Sequence, residues 1–222
     1  MRDGGNGLKT QPAVYRWMNG AGRVIPTSYE VVKVVNHKPM IRPEGNPRPS
    51  GQGGGQHKVA REVIDHLENK LKEFESKNEI SISFMFSLVN FLSNFLDRCH
   101  HGKEEKCFFP LLENLGIPRV GGPIEVMILE HQEMRTIIAK IDEYIKLYSE
   151  GKITASEVIS YCKDLILLIR SHFFKEENIL FREGSELISS NEDIKNVQCY
   201  EKIEKDIDHE KLIEEAEKLK KT

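Results

Sequence analysis

The amino-acid sequence predicts an all-α protein, an antiparallel up-down-up-down four-helix bundle with an extra C-terminal helical segment. Two observations predict this fold. From residue 56 onward, apolar side chains recur at spacings of three and four, as they do along the buried face of a helix. Four such apolar stripes are separated by short connections, and short connections favour antiparallel neighbours.

The four stripes define the bundle helices in chain order. The first stripe runs from His57 to Phe74 and the second from Met85 to Leu111. The third runs from Ile124 to Ile145 and the fourth from Val158 to Ile179. The segments "ESKNEIS", "NLGIPRVGGP" and "SEGKITASE" separate them and mark the turns of the bundle.

The connections contain residues that start and stop helices. Pro123 stands where the third helix would begin, a position that tolerates proline. Gly151 is a stop for that helix, and Thr154 with Glu157 has the spacing of a capping box for the fourth. Pro110 lies within the second stripe, so we expect it to kink or end the second helix.

Composition divides the chain into three parts. Residues 1–55 hold 10 of the 16 glycines and 6 of the 9 prolines, with 8 Lys and Arg against 3 Asp and Glu. We expect them to form a largely irregular N-terminal extension. Residues 56–185 contain the predicted bundle. Residues 186–222 are highly charged and weakly periodic, and we expect a helical segment that packs on the bundle.

Composition also excludes several classes of protein. The chain has no run of ~18 apolar residues, so no membrane span is predicted. The N-terminus lacks the apolar core of a signal peptide, and we expect a cytoplasmic protein. A net charge of −3 does not indicate a nucleic-acid partner. Four cysteines without a CxxC pair predict ordinary reduced thiols.

The sequence contains an internal repeat. "QHKVAREVI" in the first stripe resembles "EHQEMRTII" in the third, 74 residues later. "HHGKEEKCFFP" in the second stripe resembles "HFFKEENILFR" in the fourth, 72 residues later. The first two helices therefore repeat in the last two, which predicts a pseudo-twofold bundle whose histidines converge at one level.

Each stripe contains a histidine, and two stripes also contain a glutamate four positions later. A single histidine on an apolar helix face is usually a satisfied core residue. Glu104 and Glu176 change this interpretation, because burying a carboxylate costs roughly several kcal/mol unless a cation compensates. Imidazole and carboxylate ligands suit iron, manganese or zinc, and two carboxylates from different helices can bridge two ions.

These segments resemble the hemerythrin-like (HHE cation-binding) family across residues 56–182. The similarity rests on "QH" in the first helix, "HHGKEEKCFFP" in the second, "EHQEMR" in the third and "HFFKEENILF" in the fourth, with "GIPRVGGPIEVMILEH" between the halves. The resemblance implies a hemerythrin-like bundle that holds two iron ions as a non-haem, oxo- or hydroxo-bridged di-iron centre. Its implied ligands are bridging Glu104 and Glu176 and terminal His57, His100, His131 and His172.

The sequence departs from the oxygen-carrying hemerythrins in two places. Those proteins have His-x-x-x-His on the third helix, where this chain has Arg135, and an aspartate at a different spacing on the fourth helix, where it has Glu176. His101 is a candidate for a seventh ligand, although an α-helical step of about 100° places it beside the stripe that contains His100. At least one iron position would stay open for a small ligand.

The charged side chains beside the ligands are expected at the surface. Glu105 and Glu177 are predicted to be solvated, and Glu130 is predicted to be an exposed charge rather than a partner of a ligand. Arg61 and Arg135, each four residues after a histidine of a stripe, either orient carboxylates or form surface ion pairs.

The resemblance implies a metal-binding protein that binds or senses a small ligand (O2, NO or peroxide) or iron itself. The alternative is a di-iron enzyme that acts on peroxide or nitric oxide, or an iron donor in cluster repair. Relatives active in cluster repair have an N-terminal segment with a cysteine, and residues 1–55 contain none, which disfavours that alternative. The sequence leaves open whether the protein is an enzyme and how many copies associate.

Overall fold

The computed structural model describes residues 51–222, and within this range the chain forms six helices and no strand. The four bundle helices are α1 (Gly51–Lys77), α2 (residues 82–114), α3 (Pro123–Ser149) and α4 (residues 155–187), followed by α5 (Ser190–Asp206) and α6 (His209–Leu219). The prediction of an all-α bundle is confirmed. No helix among these residues has the length and apolar character needed to cross a bilayer.

The N-terminal boundary differs from the prediction. Helix α1 begins at Gly51, so residues 51–55, which were assigned to the irregular extension, are helical. Glycine is a weak helix former, at about 1 kcal/mol less favourable than alanine. The glycine-rich composition of residues 51–55 therefore predicted a linker, whereas in the structure these residues form the first turn of helix α1. The rest of the predicted extension, residues 1–50, lies outside the described residues.

Helices α2 and α4 each contain π-helical turns. Helix α2 consists of Ile82–Phe91, the π-helical Leu92–His101 and Glu104–Phe108, and Phe109–Asn114. Helix α4 consists of Ala155–Lys175, the π-helical Glu176–Leu180, and Phe181–Leu187. The π-helical turns that begin at Glu104 and Glu176 are equivalent in the internal repeat. A π turn inserts one extra residue and often lies at a functional site.

The sequence predicted that Pro110 would kink or end the second helix. The helix does not end there. The amide of Phe109 donates to the carbonyl of Glu104, which closes a π-helical turn directly before the proline. Pro110 then occupies the first turn of the α-helical Phe109–Asn114, where its missing N–H is not needed. Helix α2 therefore continues to Asn114.

The other predicted helix ends are present. Pro123 lies in the first turn of α3, and Gly151 follows that helix with a φ of +70°. Helix α4 starts with a capping box, in which the amide of Thr154 donates to Oε2 of Glu157 at 2.8 Å. Such caps satisfy amides that have no partner within the helix.

Buried apolar side chains form two clusters. The larger one fills the bundle between Ala60 and Phe74 of α1 and the facing parts of the other helices. The smaller one lies towards the other end and includes Phe108, Phe109 and Leu180. In α2 and α3 the predicted ligands fall between residues of the larger cluster and residues of the smaller one, so a polar layer lies between the two clusters.

The expectation of four reduced thiols is wrong. Cys107 of α2 and Cys199 of α5 form a disulfide across 92 residues, with a Cα–Cα distance of 6.0 Å. Among the described residues, Cys99 and Cys162 are free and buried. The pairing depends on how α5 lies against α2, and cysteine spacing in the sequence contains no information about that contact.

Candidate metal centre

The structure brings all seven predicted ligands into one layer of the bundle. Each of them has at most 4% of its surface exposed, which leaves no room for solvation by bulk water. They come from all four bundle helices: His57 from α1; His100, His101 and Glu104 from α2; His131 from α3; His172 and Glu176 from α4.

The carboxylate of Glu176 lies between two sets of histidines. Its Oε2 is 3.0 Å from Nε2 of His57 and 3.8 Å from Nε2 of His100. Its Oε1 is 3.3 Å from Nε2 of His172. The two oxygens therefore face two different positions, as the oxygens of a bridging carboxylate do.

Glu104 repeats this arrangement from the opposite side of the layer. Its Oε1 is 3.8 Å from Nε2 of His100, and its Oε2 is 3.3 Å from Nε2 of His131. The imidazoles also pair within each set: Nε2 of His57 is 3.2 Å from Nε2 of His100, and Nε2 of His131 is 3.2 Å from Nε2 of His172.

His101 belongs to the second set. Its ring stacks on that of His131 at a centroid distance of 3.8 Å, and one of its ring nitrogens is within 4.8 Å of donor atoms of His131 and His172. The sequence had placed His101 beside the buried stripe because it assumed α-helical steps. The π-helical Leu92–His101 widens the helix and turns two consecutive histidines, His100 and His101, into the core.

The layer has unsatisfied polar atoms that a cation would satisfy. Both oxygens of Glu104, both oxygens of Glu176 and Nε2 of His101 are buried without a hydrogen-bond partner among the described residues. Buried polar groups are almost always paired, and unpaired carboxylates are among the most costly. Five imidazole nitrogens and four carboxylate oxygens form a donor set that fits divalent metal ions.

The protonation states agree with a metal site. Burial lowers the pKa of His100 to about 4 and holds that of His101 well below its ordinary value, so both rings are neutral and have a free lone pair. Burial raises the pKa of Glu104 well above its ordinary value, and the charge of Glu176 acts in the same direction. Two carboxylates this close repel each other unless positive charge lies between them.

Hydrogen bonds on the far side of the imidazoles orient the first set. Nδ1 of His57 donates to Oε1 of Glu177 at 2.8 Å, because a carboxylate can only accept. Arg61 donates to the other oxygen of Glu177, also at 2.8 Å. Glu177, which the sequence predicted to be solvated, is partly exposed and is also held by these two hydrogen bonds. This bond leaves Nε2 of His57 as the atom that faces the centre.

The equivalent residues orient the second set. Nδ1 of His131 donates to Oε1 of Glu105 at 2.7 Å, and Arg135 donates to that oxygen at 2.8 Å. Arg135 also donates to Asp97 at 2.7 Å, and Nδ1 of His101 lies 3.3 Å from the same oxygen of Asp97. Glu105 was likewise predicted to be solvated, and it is partly exposed while it accepts these bonds. Both arginines orient carboxylates, which was one of the two alternatives for them.

Two buried lysines complete the layer, and sequence reasoning missed them. Lys175 donates to Glu130, which in turn accepts from Nδ1 of His172 at 3.0 Å, so Glu130 is a partner of a ligand and not an exposed charge. Lys103, with 3% of its surface exposed, donates to Glu204 of α5. The signal was present in the sequence, since Lys-Glu-Glu occurs at the same place in both halves of the repeat.

A comparison with protein-family models identifies residues 55–183 as a match to the hemerythrin HHE cation-binding domain. The match covers more than half of the chain and includes all seven residues of the polar layer. No curated protein and no solved structure shows significant similarity to the chain.

Proposed function

Because the chain belongs to the hemerythrin HHE cation-binding family, we propose that its bundle holds two iron ions and that one of them binds a small ligand such as O2, NO or peroxide. The observation that carries the proposal is the pair of carboxylates. Glu104 and Glu176 each divide their two oxygens between two sets of histidines, and none of the four oxygens has a hydrogen-bond partner in the part of the chain that the structure describes.

The donor atoms form two unequal positions. The first position has Nε2 of His57 and of His100 with one oxygen from each carboxylate, four atoms in all. The second position has His131 and His172 with the other two oxygens, and a ring nitrogen of His101 lies within 4.8 Å of donor atoms of both histidines, so we count it as a fifth donor. Two octahedral ions offer about twelve positions. About three therefore remain for water-derived ligands and an added small molecule, and the first position is the more open.

The ligand set favours iron but does not identify it by itself. Nitrogen and oxygen donors without thiolate suit iron, manganese and zinc, and family membership favours iron. When bound, a pair of irons supplies the electron transfer with O2, NO or peroxide that side chains alone do not provide. The protein's own contribution is to fix the imidazoles by their Nδ1 bonds and to exclude water.

Apolar rings make the first position suitable for a small neutral ligand. The ring of Phe173 stacks on His57 at a centroid distance of 4.1 Å, and that of Phe181 lies at 5.7 Å. Apart from Lys103, which bonds to Glu204, the titratable side chains named in the layer are candidate ligands or bond to them directly or through one carboxylate. This arrangement favours binding or sensing over acid–base catalysis.

Metal analysis and ligand titration test the proposal. Metal-free protein loaded with ferrous iron under anaerobic conditions is expected to retain about two irons per chain. Azide or NO added to it should then change the optical spectrum with a stoichiometry of about one per chain. One tightly held zinc with no affinity for iron would overturn the di-iron proposal. Two irons with no response to either probe would overturn the ligand-binding part alone.

A further inference from the structure

Three residues of α2 form a stripe that faces the C-terminal helices. Cys99, Lys103 and Cys107 are spaced by four residues and therefore lie on one side of the helix. Sγ of Cys99 is 3.3 Å from Nδ1 of His209, Lys103 donates to Glu204, and Cys107 is bonded to Cys199. The stripe thus joins the ligand-bearing helix to α5 and to the start of α6.

The two C-terminal helices are attached in different ways. Helix α6 is anchored by apolar packing, since Leu212, Ala216 and Leu219 belong to the larger core cluster. Among the described side chains of α5, Asn196 and Tyr200 are the buried ones in a helix of 17 residues. So little burial contributes little to holding a helix in place. Helix α5 therefore depends on the disulfide and on its polar contacts.

Helix α5 covers the part of α2 that contains a candidate bridging ligand. The ammonium of Lys103 lies 5.7 Å from the centre of the Tyr200 ring, and Lys103 precedes Glu104 in the chain. Tyr200 also belongs to the smaller apolar cluster with Phe108. Cys107 and Glu104 lie in the same π-helical turn. The disulfide thus fixes α5 to the turn that presents Glu104.

The two cysteines of the disulfide differ in solvent exposure. Cys107 is buried with 6% of its surface exposed, whereas Cys199 is partly exposed on α5. The free thiols of Cys99 and Cys162 are both buried. Thiol–disulfide exchange needs access of the attacking sulfur to the bond, so we expect the reductant to come from outside the protein. Cys199, the more exposed of the two bridge residues, is therefore the side from which an external thiol would approach.

We propose that Cys107–Cys199 is a redox-active bridge, which an external dithiol opens to release α5 from the face of α2 that contains Glu104. A thiolate of the dithiol attacks Sγ of Cys199, the S–S bond breaks, and Cys107 leaves as a thiolate and takes up a proton. The second thiol of the reductant then attacks the mixed disulfide and frees Cys199. The dithiol loses two electrons and two protons and becomes a cyclic disulfide.

Thiol counting and hydrogen exchange test this proposal on the purified protein with its metal. Denatured oxidised protein is expected to have the two free thiols of Cys99 and Cys162, and protein treated with dithiothreitol to have all four cysteines as thiols. Upon reduction, amides of α5 should exchange about tenfold faster or more, because a helix with little buried surface loses its covalent attachment. Amides of α1 and α3 should not change.

Two variants make the test specific. Cys199→Ser should show the fast exchange of α5 without any reductant, which separates opening of the bridge from reactions of dithiothreitol with the metal. Cys162→Ala, which removes a buried thiol far from the bridge in sequence, should retain the response to reduction. Four free thiols before reduction, or slow exchange of α5 in both reduced protein and Cys199→Ser, would overturn the proposal.

A second measurement links the bridge to the metal, and this part rests on the proposed function. Iron should pass to an external chelator several-fold faster from Cys199→Ser than from the oxidised parent protein, because α5 no longer covers the turn with Glu104. Equal rates in proteins that both contain iron would overturn this link. The exchange experiment is repeated on metal-free protein, so failure of the di-iron proposal would be seen separately in the metal content.

Discussion

The two halves of the bundle contain the same candidate ligands, but the side chains that hydrogen-bond to these ligands differ between the halves. In the second half, His172 bonds to Glu130, and Glu130 bonds to Lys175. In the first half, the residue equivalent to Glu130 is Gln56, which donates to Cys99 instead, and Lys103 bonds outward to α5. The repeat thus preserves the candidate ligands, while their supporting residues have diverged.

Because of this difference, more of the histidines at the second position are oriented by a carboxylate than at the first. Among residues 55–222, a carboxylate accepts from or lies beside Nδ1 of all three histidines of the second set: Glu105 for His131, Glu130 for His172 and Asp97 for His101. In the first set, Glu177 does so for His57. Such carboxylates orient imidazoles and raise their basicity. We infer that the second ion is held for structure and the first is the reactive one.

Removing a shared carboxylate should have the largest effect, because both positions use it. Glu104→Ala and Glu176→Ala are each expected to lose most of the metal from both positions. Metal bound at a hundred times its dissociation constant stabilises a fold by about 2.7 kcal/mol, so we expect at least this loss in the free energy of unfolding. Metal analysis and thermal unfolding measure both quantities. Glu133→Ala, which removes an exposed carboxylate of α3, is the control. Two ions retained in both variants would contradict the bridging assignment.

Removing His101 should abolish the difference in donor number between the two positions. His101→Ala leaves four protein donors at each ion, so azide is expected to bind at about two ions per chain instead of one. Titration followed by optical spectroscopy measures this stoichiometry. His66→Ala changes a half-buried histidine whose ring is tilted against that of Phe84, outside the candidate metal layer, and should leave the stoichiometry unchanged. A wild-type spectrum and stoichiometry in His101→Ala would show that His101 is not a ligand.

Neutralising a supporting carboxylate should weaken one position selectively. Glu105→Gln removes the acceptor of His131 and should weaken the second ion by about 10- to 100-fold. Glu177→Gln removes the acceptor of His57 and should weaken the first ion by a similar factor, about 10- to 100-fold. Stepwise competition with a chelator separates the two ions, and each variant serves as the control for the other. Equal weakening of both ions in both variants would contradict two independent positions.

Restoring the missing carboxylate in the first half should have the smallest effect. Gln56→Glu gives the first half the residue that the second half has at Glu130, so the new carboxylate is expected to accept from His100 and to strengthen the first ion a few-fold. The same chelator competition measures it, with the second ion as internal reference. Unchanged or weaker binding of the first ion would contradict the equivalence of positions 56 and 130. It would indicate that position 56 serves to contact Cys99 and not His100.

The sequence was sufficient to predict those features that depend on the residues of a single helix. Spacings of three and four gave the bundle, and His100 with Glu104 four residues later gave two side chains on one face. It failed where the contact is between helices. Glu177 follows a ligand on α4 but orients His57 of α1, and only the packing of those helices shows this. Likewise, Cys199 meets Cys107 only through the position of α5.

The sequence also failed where the helix itself departs from α geometry. His101 was expected beside the stripe because a step of about 100° was assumed. Nothing in "LSNFLDRCHH" distinguishes a π-helical turn from an α-helical one, since the apolar spacing is compatible with both. The π-helical segment coincides with the burial of two consecutive polar rings, His100 and His101, and that burial is a property of the assembled layer.

The internal repeat has a genetic consequence. If one α-helical hairpin formed the same centre by pairing with an identical copy, every substitution would change both metal positions at once, because a twofold axis makes them equivalent. In this chain both hairpins are encoded separately within one polypeptide, so Gln56 and Glu130 can differ while Arg61 and Arg135 stay the same. The surroundings of each candidate metal position can therefore mutate independently of the other, and inequality between them is open to selection.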